Sequence, residues 1–409
     1  MSSPISEDLR SATNPLFNQN KLKIGVFAFN GTAGCLMTKV PELYQATWSN
    51  SLDVAMQADA AGFDVIVPYA RWKPFGDAHH PSAHVFENFT WASAIAARTQ
   101  YSGIMSTCHV PLMHPILVAK AAATIDHVSG GRFGINIVCG WYRPEFEMFG
   151  APLLGHDERY DYAEEWITII KKLWTEDDEF DFDGKYFRIL RGMSQPKPIQ
   201  KPLPALMNAG ASDRGRRFVA KHSDLAFVFL QSHEDEYVRK HVDAYRKLAH
   251  EVSGRPIQIW CICYVVQRDS YEDAVKYVDY YAVEHGDESY ADIWIDENLA
   301  RSKGLPPDVQ ASLRRAIKAG YGGVPLLGTP ENITDRLERL SKSGVDGVLL
   351  IWVDFQNGIR QFNRHVLPLL EQSGLRGAVR TGDTAKQAAT PGTAAVGPEY
   401  GPDSNGQTD

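Results

Sequence analysis

One polar residue inside an apolar run is the first candidate for chemistry in this chain. Asn136 interrupts the run Phe133–Val138, which follows a Ser-Gly-Gly turn and is typical of a buried strand. A buried amide needs hydrogen-bond partners, so Asn136 is either a core residue satisfied by backbone or a residue that contacts a ligand. Its spacing alone leaves both interpretations open.

A hydroxyl and several imidazoles follow other apolar runs. Thr107 closes the third run, where it is either β-branched strand filler or a ligand contact, and the pattern does not separate the two. His79, His80 and His84 follow the second run. Adjacent histidines on a loop rarely share one ion, and no H-E-x-x-H spacing is present. We therefore expect no metal here and interpret these residues as a solvated or substrate-lining loop.

Two further segments have the residue types that hold a phosphate. Arg159 and Tyr160 lie in the first turn of an amphipathic helix, where a cation opposes the helix dipole unless an anion is nearby. Ser212 lies in the small-residue segment 209–215, which begins a helix after the fifth apolar run. Its free N–H groups suit a phosphate, although a simple Ser-capped helix explains the same residues. Together the two segments predict a phosphorylated ligand.

Eight apolar runs would position these residues. Most are rich in Ile, Val and Phe without polar alternation, as in strands that are covered on both faces. They are 23–29, 64–70, 103–108, 133–139, 205–209, 225–230, 257–266 and 347–353. Helical patterns follow them, which predicts a (β/α)8 TIM barrel with the polar residues at its carboxyl face. A doubly wound sheet is the alternative, but no G-x-G-x-x-G follows the first run.

Long insertions and two polar ends complete the predicted organisation. Insertions are expected after strands 4 and 7, at 141–204 and 268–346. The first contains an Asp-Gly turn between alternating aromatic residues, which predicts a hairpin, and the second is a candidate lid. We expect a disordered N-terminal arm at 1–20, which is polar, one barrel domain at 21–375, and a disordered tail at 376–409, which has almost no large apolar residues.

Composition excludes several functional classes. The chain has 409 residues, 44% of them hydrophobic, and a net charge of -8, which argues against nucleic acid or an anionic membrane as partner. No apolar run is long enough to span a bilayer and no secretory segment is visible, so a cytoplasmic protein is expected. Five scattered cysteines without a C-x-x-C pair predict reduced, packed thiols.

Several motifs in the same order resemble one family. The motifs are Lys23-Ile-Gly-Val-Phe27, Ala122-Ala-Thr-Ile-Asp126, Ser129-Gly-Gly-Arg-Phe-Gly134, Asn136-Ile-Val-Cys-Gly-Trp141, Pro144-Glu145, His156-Asp-Glu-Arg-Tyr-Asp161, Gly328-Thr-Pro-Glu-Asn332 and 348–359. From about residue 21 to 370 the chain resembles the bacterial-luciferase-like FMN-dependent monooxygenases. It is most similar to the branch that contains the pyrimidine oxygenase and dimethyl-sulfone monooxygenase.

The resemblance implies a cofactor, a reaction and roles for named residues. The FMN contacts that it implies are Ala70, Arg71, Thr107, Asn136, Glu145, Arg159, Tyr160 and Ser212. Thr107 and Asn136 match the pair that holds O2 at the flavin edge, so both are expected to be catalytic through a flavin peroxide. Ala70 and Arg71 stand where the branch has a larger apolar residue followed by Lys. This departure affects the substrate rather than the cofactor.

The substrate stays open at this point. Trp72, His79, His80, His84 and His109 are expected to line the pocket, which favours a pyrimidine-like or flavin-like N-heterocycle. A sulfone or alkanesulfonate is the alternative. A deazaflavin-dependent dehydrogenase and a non-catalytic flavin-binding protein are the other rivals. The resemblance also implies reduced FMN from a separate NAD(P)H:flavin reductase, and a homodimer or higher homo-oligomer.

Overall fold

The computed structural model describes residues 8–298 and 306–378. The strands are β1 Lys23–Phe27, β2 Val65–Val67, β3 Gly103–His109, β4 Phe133–Val138, β5 Phe180–Asp183, β6 Arg188–Gly192, β7 Ala205–Asn208, β8 Leu225–Val228, β9 Gln258–Gln267, β10 Val324–Gly328 and β11 Gly347–Ile351. The α-helices are α1 Trp48–Ala60, α2 Asn88–Ala96, α3 Pro115–Ser129, α4 Arg143–Met148, α5 His156–Thr175, α6 Asp213–His222, α7 Asp235–Ser253, α8 Tyr271–Asp279, α9 Glu288–Asn298, α10 Pro307–Gly320, α11 Pro330–Lys342, α12 Phe355–Gln361 and α13 Leu367–Gln372.

Eight parallel strands close into a barrel. Their order is β1-β2-β3-β4-β7-β8-β9-β11, and β11 pairs back to β1. Nearly every residue in these strands is buried, because side chains on one face fill the barrel and those on the other contact the helices. The (β/α)8 prediction is confirmed, and each of the eight apolar runs contains one barrel strand.

A ninth parallel strand was not predicted. β10 pairs with Cys263–Gln267, beyond the part of β9 that pairs with β8. Cys263 and Tyr264 pair with β10 and also with β11, so these two strands lie on opposite sides of β9. β10 contains Pro325, which is tolerated because β10 is an edge strand. This proline hides β10 in the sequence.

Both insertions have secondary structure of their own. The segment after β4 contains α4, α5 and the β5-β6 hairpin, and the segment after β9 contains α8 to α11 and β10. The predicted hairpin is confirmed by the antiparallel pairs Phe182↔Ile189 and Asp183↔Arg188. None of the helices in the described ranges is long and apolar enough to cross a membrane.

The N-terminal arm is more ordered than predicted. Two short 3-10 turns, Arg10–Ala12 and Pro15–Phe17, pack against the barrel, and the Leu16 side chain is fully buried. The Arg10 guanidinium lies 2.9 Å from the Asp224 carboxylate. The prediction of disorder is therefore wrong for residues 8–20, because buried Pro15 and Leu16, the Arg10–Asp224 ion pair and the hydrogen bond from Asn14 to Gln200 dock this segment. Residues 1–7 lie outside the described residues.

The barrel domain also ends slightly later in the chain than predicted. Arg376 is 4% exposed, and its guanidinium donates to the Gly62 carbonyl. The Gly377 N–H donates to Asn20 Oδ1 over 3.0 Å. The barrel therefore continues to at least residue 377, and the remainder of the predicted tail, 379–409, lies outside the described residues.

Candidate active site

Thr107 and Asn136 lie side by side at the carboxyl ends of β3 and β4. They are register partners in the parallel ladder, and both are almost fully buried. The Thr107 hydroxyl donates to the Pro68 carbonyl over 2.5 Å and accepts from Asn136 Nδ2 over 3.1 Å. A hydroxyl has a single hydrogen and a carbonyl can only accept, so these two bonds fix which way the Asn136 amide faces.

The oxygen of the fixed Asn136 amide, Oδ1, is buried and accepts no hydrogen bond from the described residues. A buried acceptor in that condition costs about 1–3 kcal/mol unless a ligand or water completes it. The Asn136 amide donates to a side chain, the Thr107 hydroxyl. This contact does not fit the interpretation of Asn136 as a core residue whose amide is satisfied by backbone.

The segment after β7 and the start of α5 meet in a tight turn. Ser212 begins α6 as its N-cap, with its hydroxyl accepting from the Gly215 N–H over 3.1 Å. A Cβ on Gly215 would lie 2.6 Å from the Tyr160 hydroxyl, so glycine is required there. Burial raises the pKa of the Tyr160 hydroxyl to about 12. Tyr160 therefore stays a neutral donor beside the helix N-terminus.

Arg159 adds a cation to the same turn. Its Nη1 donates to the Gly140 carbonyl, and its buried Nε has no hydrogen-bond partner in the described ranges. A free guanidinium N–H, a tyrosine hydroxyl and a helix N-terminus together form a site that suits an anion. The structure thus brings together the three residues that were predicted to hold a phosphate.

Glu145 is the charged centre of the other side of the site. Gly140, at φ 88°, turns the chain after β4, and α4 then places Glu145 fully buried near β3. Glu145 Oε2 lies 3.0 Å from His109 Nδ1, and Oε1 accepts from the Trp72 N–H over 2.7 Å. Burial opposes ionisation, but His109, Arg71 and this N–H outweigh it and lower the pKa of Glu145. The carboxylate is therefore ionised at neutral pH.

Comparison with known proteins identifies the family. The model of the luciferase-like monooxygenase family matches residues 22–347, which is most of the barrel and both insertions. The chain belongs to this family.

Curated relatives and solved structures agree with the assignment. The chain is 28% identical to the FMNH(2)-dependent dimethylsulfone monooxygenase of Pseudomonas putida over 86% of this chain and 96% of the relative. It is 31% identical to the pyrimidine monooxygenase RutA of Cronobacter turicensis over 85% and 92%. The fold is similar to riboflavin lyase, solved with modified FMN and riboflavin, with a TM-score of 0.76 and 23% identity over 87% and 93%.

In this luciferase-like barrel the predicted pocket residues take three positions. Trp72 and His109 contact Glu145, and the Trp72 ring also packs edge-on against Phe149. His79 and His84 are exposed, and His84 Nε2 bonds to the Ala46 carbonyl instead. That these two imidazoles line the substrate pocket stays a prediction.

His80 takes a third position. Its Nε2 lies 2.9 Å from Asp287 Oδ2, just before α9. His80 therefore links the loop after β2 to the second insertion. Ala70, another predicted cofactor contact, is 7% exposed and lies in the loop that follows β2.

Aromatic residues missed by sequence reasoning surround this side of the site. Phe75 contacts Tyr290 and Tyr142, each with ring centroids 4.7 Å apart, and stacks on Trp141 at 5.8 Å. They come from three separate segments, and only the prediction of a lid pointed toward α9. A further cavity of about 770 Å³ lies between the end of β9 and α12, and none of the predicted site residues lines it.

Proposed function

We propose that this chain is an FMNH2-dependent monooxygenase that uses O2 to oxidise and cleave a small organic substrate. The observation that carries the proposal is the buried Asn136 Oδ1 without a partner beside Thr107. An unsatisfied acceptor at the barrel mouth fits the N–H donors that a reduced flavin ring presents. Support comes from relatives, since the dimethylsulfone monooxygenase is named as FMNH(2)-dependent.

The residues present fit the whole cofactor. Arg159, Tyr160 and Ser212 would hold the phosphate, because a free guanidinium N–H and a hydroxyl lie beside the N-terminus of α6. Asn136 would hold the polar edge of the ring. Ala70, Arg71 and Glu145 would line the other side, as the family resemblance implies.

Each residue has a defined task around the bound cofactor. Reduced FMN supplies the two electrons that activate O2. The second amide hydrogen of Asn136 is free to stabilise developing negative charge, as a donor in an oxyanion hole does. The Thr107 hydrogen is engaged by Pro68, so Thr107 fixes the amide unless its hydroxyl rotates away. The aromatic residues around Phe75 exclude water from this side.

The partner and the substrate class belong to the same proposal. Reduced FMN would come from a separate NAD(P)H:flavin reductase. The preference for an N-heterocycle depended on the loop imidazoles, of which His79 and His84 are exposed. The alternative, a sulfone or sulfonate, is supported by the dimethylsulfone monooxygenase among the relatives.

The test is oxygen transfer under single-turnover conditions. The full chain is mixed with photoreduced FMN, isotope-labelled dioxygen and a panel of N-heterocycles, sulfones and sulfonates. Labelled oxygen in a substrate-derived product supports the proposal. Flavin oxidation with no product would instead favour a flavin-binding protein, and activity with a deazaflavin alone would favour a dehydrogenase.

A further inference from the structure

Arg71 is a buried cation whose hydrogen bonds are incomplete. Its side chain is 5% exposed, and neither Nε nor Nη1 has a hydrogen-bond partner among the residues that the structure describes. The nearest carboxylate oxygen, Glu145 Oε1, lies 3.8 Å from Nη1, which is too far for a hydrogen bond. A buried guanidinium in this condition is costly unless another acceptor completes it.

Aromatic rings cover the faces of this guanidinium. Its Cζ lies 3.9 Å from the centroid of the Phe75 ring and 5.4 Å from those of Trp141 and Tyr142. Such contacts use the π-faces of the rings and stabilise the charge without accepting a hydrogen bond. The N–H groups at the edge of the guanidinium plane therefore stay available to an acceptor that lies in that plane.

Glu145 does not serve as that acceptor. Its Oε1 already accepts from the Trp72 N–H over 2.7 Å and from the Lys73 N–H over 3.4 Å, and its Oε2 faces His109 Nδ1. Oε1 is thus committed to backbone N–H groups, and Oε2 lies beside His109 without a hydrogen bond to any described residue.

Arg71 lies on the side of the site that contains the proposed catalytic residues, Thr107 and Asn136. Arg71 follows Pro68 by three residues, and the Pro68 carbonyl accepts the Thr107 hydrogen. His109 is two residues beyond Thr107 on β3, on the same face of the strand. Glu145 links the two, because its carboxylate lies 3.8 Å from Arg71 Nη1 and 3.0 Å from His109 Nδ1, so an anion held by Arg71 would lie on the Thr107–Asn136 side of the site.

We infer that the substrate carries a carboxylate or sulfonate group, which the Arg71 guanidinium receives between Phe75, Trp141 and Tyr142. This inference depends on the proposed monooxygenase function and narrows its substrate class, and it assigns the Arg71 side chain to the substrate instead of the FMN contact that the family resemblance implies. The charged group binds through charge-assisted N–H···O bonds, and the aromatic rings contact the organic part next to it. A neutral sulfone or pyrimidine leaves the same N–H groups without an anionic acceptor.

The test compares matched anionic and neutral probes on the FMN-saturated full chain. Pentanesulfonate is paired with methyl pentyl sulfone, in which a methyl group replaces one oxygen, and hexanoate is paired with 2-heptanone. Binding is measured by tryptophan fluorescence and by calorimetry, so no turnover is required. We expect at least one anion to bind about tenfold tighter than its neutral partner, the equivalent of one charge-assisted hydrogen bond.

Variants assign the preference to one side chain. Arg71→Met should abolish the anion preference, and Arg71→Lys should keep part of it because the charge remains. Arg268→Met is the matched control, since Arg268 also lies 3.9 Å over a ring, that of Tyr277, but lines the separate cavity. The control should keep the full preference.

Two results would overturn the inference. One is equal affinity of the wild-type protein for both members of each pair, and the other is an unchanged anion preference in Arg71→Met. If Arg71→Met keeps that preference and loses FMN affinity, Arg71 is assigned to the cofactor. Should Arg71→Met fail to fold, the wild-type pairs and Arg71→Lys still decide. A failure of the proposed function is seen separately, as the absence of labelled oxygen in any product.

Discussion

At the scale of single residues, the Thr107 hydroxyl determines what the Asn136 amide can do. Because its one hydrogen goes to the Pro68 carbonyl, Asn136 must direct Nδ2 toward Thr107 and Oδ1 away from it. The pair is therefore asymmetric, with Thr107 orienting and Asn136 offering a free acceptor and a free N–H. The sequence predicted both residues as catalytic without distinguishing their roles, because the direction of the hydroxyl hydrogen depends on a loop carbonyl that no pattern shows.

Removing the Asn136 amide tests this division of roles. Asn136→Ala should lower kcat for FMNH2-dependent oxygenation about 10²- to 10³-fold, as loss of one oxyanion donor does. Thr107→Val should have a smaller effect, since it frees the amide without deleting it. The measurement is single-turnover flavin oxidation with product analysis.

The control for these variants lies on β3, next to Thr107. Ser106 is buried and donates to the Asn88 carbonyl on the opposite face of β3. Ser106→Ala should leave the rate of oxygenation near that of the wild type. A rate in Asn136→Ala equal to that of the Ser106 variant would show that the amide has no part in the reaction.

The Glu145 carboxylate gives a pH dependence with a definite sign. Its pKa is lowered in the folded protein, because His109, Arg71 and backbone N–H groups outweigh the effect of burial. The stability that it contributes is therefore complete above its unfolded pKa of about 4.3 and is lost as the pH falls further. Urea unfolding from neutral to acidic pH should show a wild-type advantage over Glu145→Gln that narrows below that value. An advantage that is constant across the range would mean that the carboxylate charge is not involved.

At the scale of secondary-structure elements, α5 and α6 are joined by a cluster of charges. Glu164 on α5 contacts His222 at 2.7 Å and Lys221 at 2.6 Å, both on α6. Burial raises the pKa of Glu164, but these partners more than offset it and lower the pKa to about 2. The cluster therefore helps to hold together the two helices whose N-terminal ends contain Arg159 and Ser212.

Acid should weaken this contact between helices. A lowered carboxylate pKa adds stability above the unfolded value and loses it as pH falls toward about 2. After discounting for solvent screening at this partly exposed position, Glu164→Gln should cost roughly 1–2 kcal/mol at neutral pH. The cost should vanish at strongly acidic pH in chemical denaturation. Lys240→Gln serves as control, because its pair with Glu236 is exposed and should contribute little.

The elements themselves differ in how well the sequence shows them. The eight barrel strands could be predicted because each is a continuous apolar run with helical periodicity after it. β10 could not, since five residues with a proline form a strand only when β9 extends past β8 and offers a free edge. The turns at Arg10–Ala12 and Pro15–Phe17 were missed for a similar reason, because their order depends on contacts with distant residues such as Asp224.

At the scale of the whole molecule, the second insertion packs onto the barrel mouth through aromatic contacts. Tyr290 on α9 stacks on Phe75 from the loop after β2, and Phe75 contacts Tyr142 before α4. A pair of residues 215 positions apart leaves no local signal, so the sequence could predict that a long insertion covers the mouth but not which residues hold it there. The arrangement makes water exclusion a property of three segments together.

Loosening this contact should uncouple oxygen consumption from product formation. Tyr290 is 3% exposed, and Tyr290→Ala removes the ring that stacks on Phe75 and also lies 5.3 Å from that of His80. Entry of water into an oxygenase site allows side reactions, so a larger share of the consumed O2 should be released as hydrogen peroxide.

Phe63→Ala is the control, because Phe63 is fully buried against Phe362 and lies away from the mouth. This substitution should lower the free energy of unfolding by a comparable amount, a few kcal/mol. Peroxide per FMNH2 should rise severalfold in the Tyr290 variant and stay unchanged in the Phe63 variant. Equal peroxide release in both would mean that the insertion does not protect the site, because loss of overall stability alone would then account for the leak.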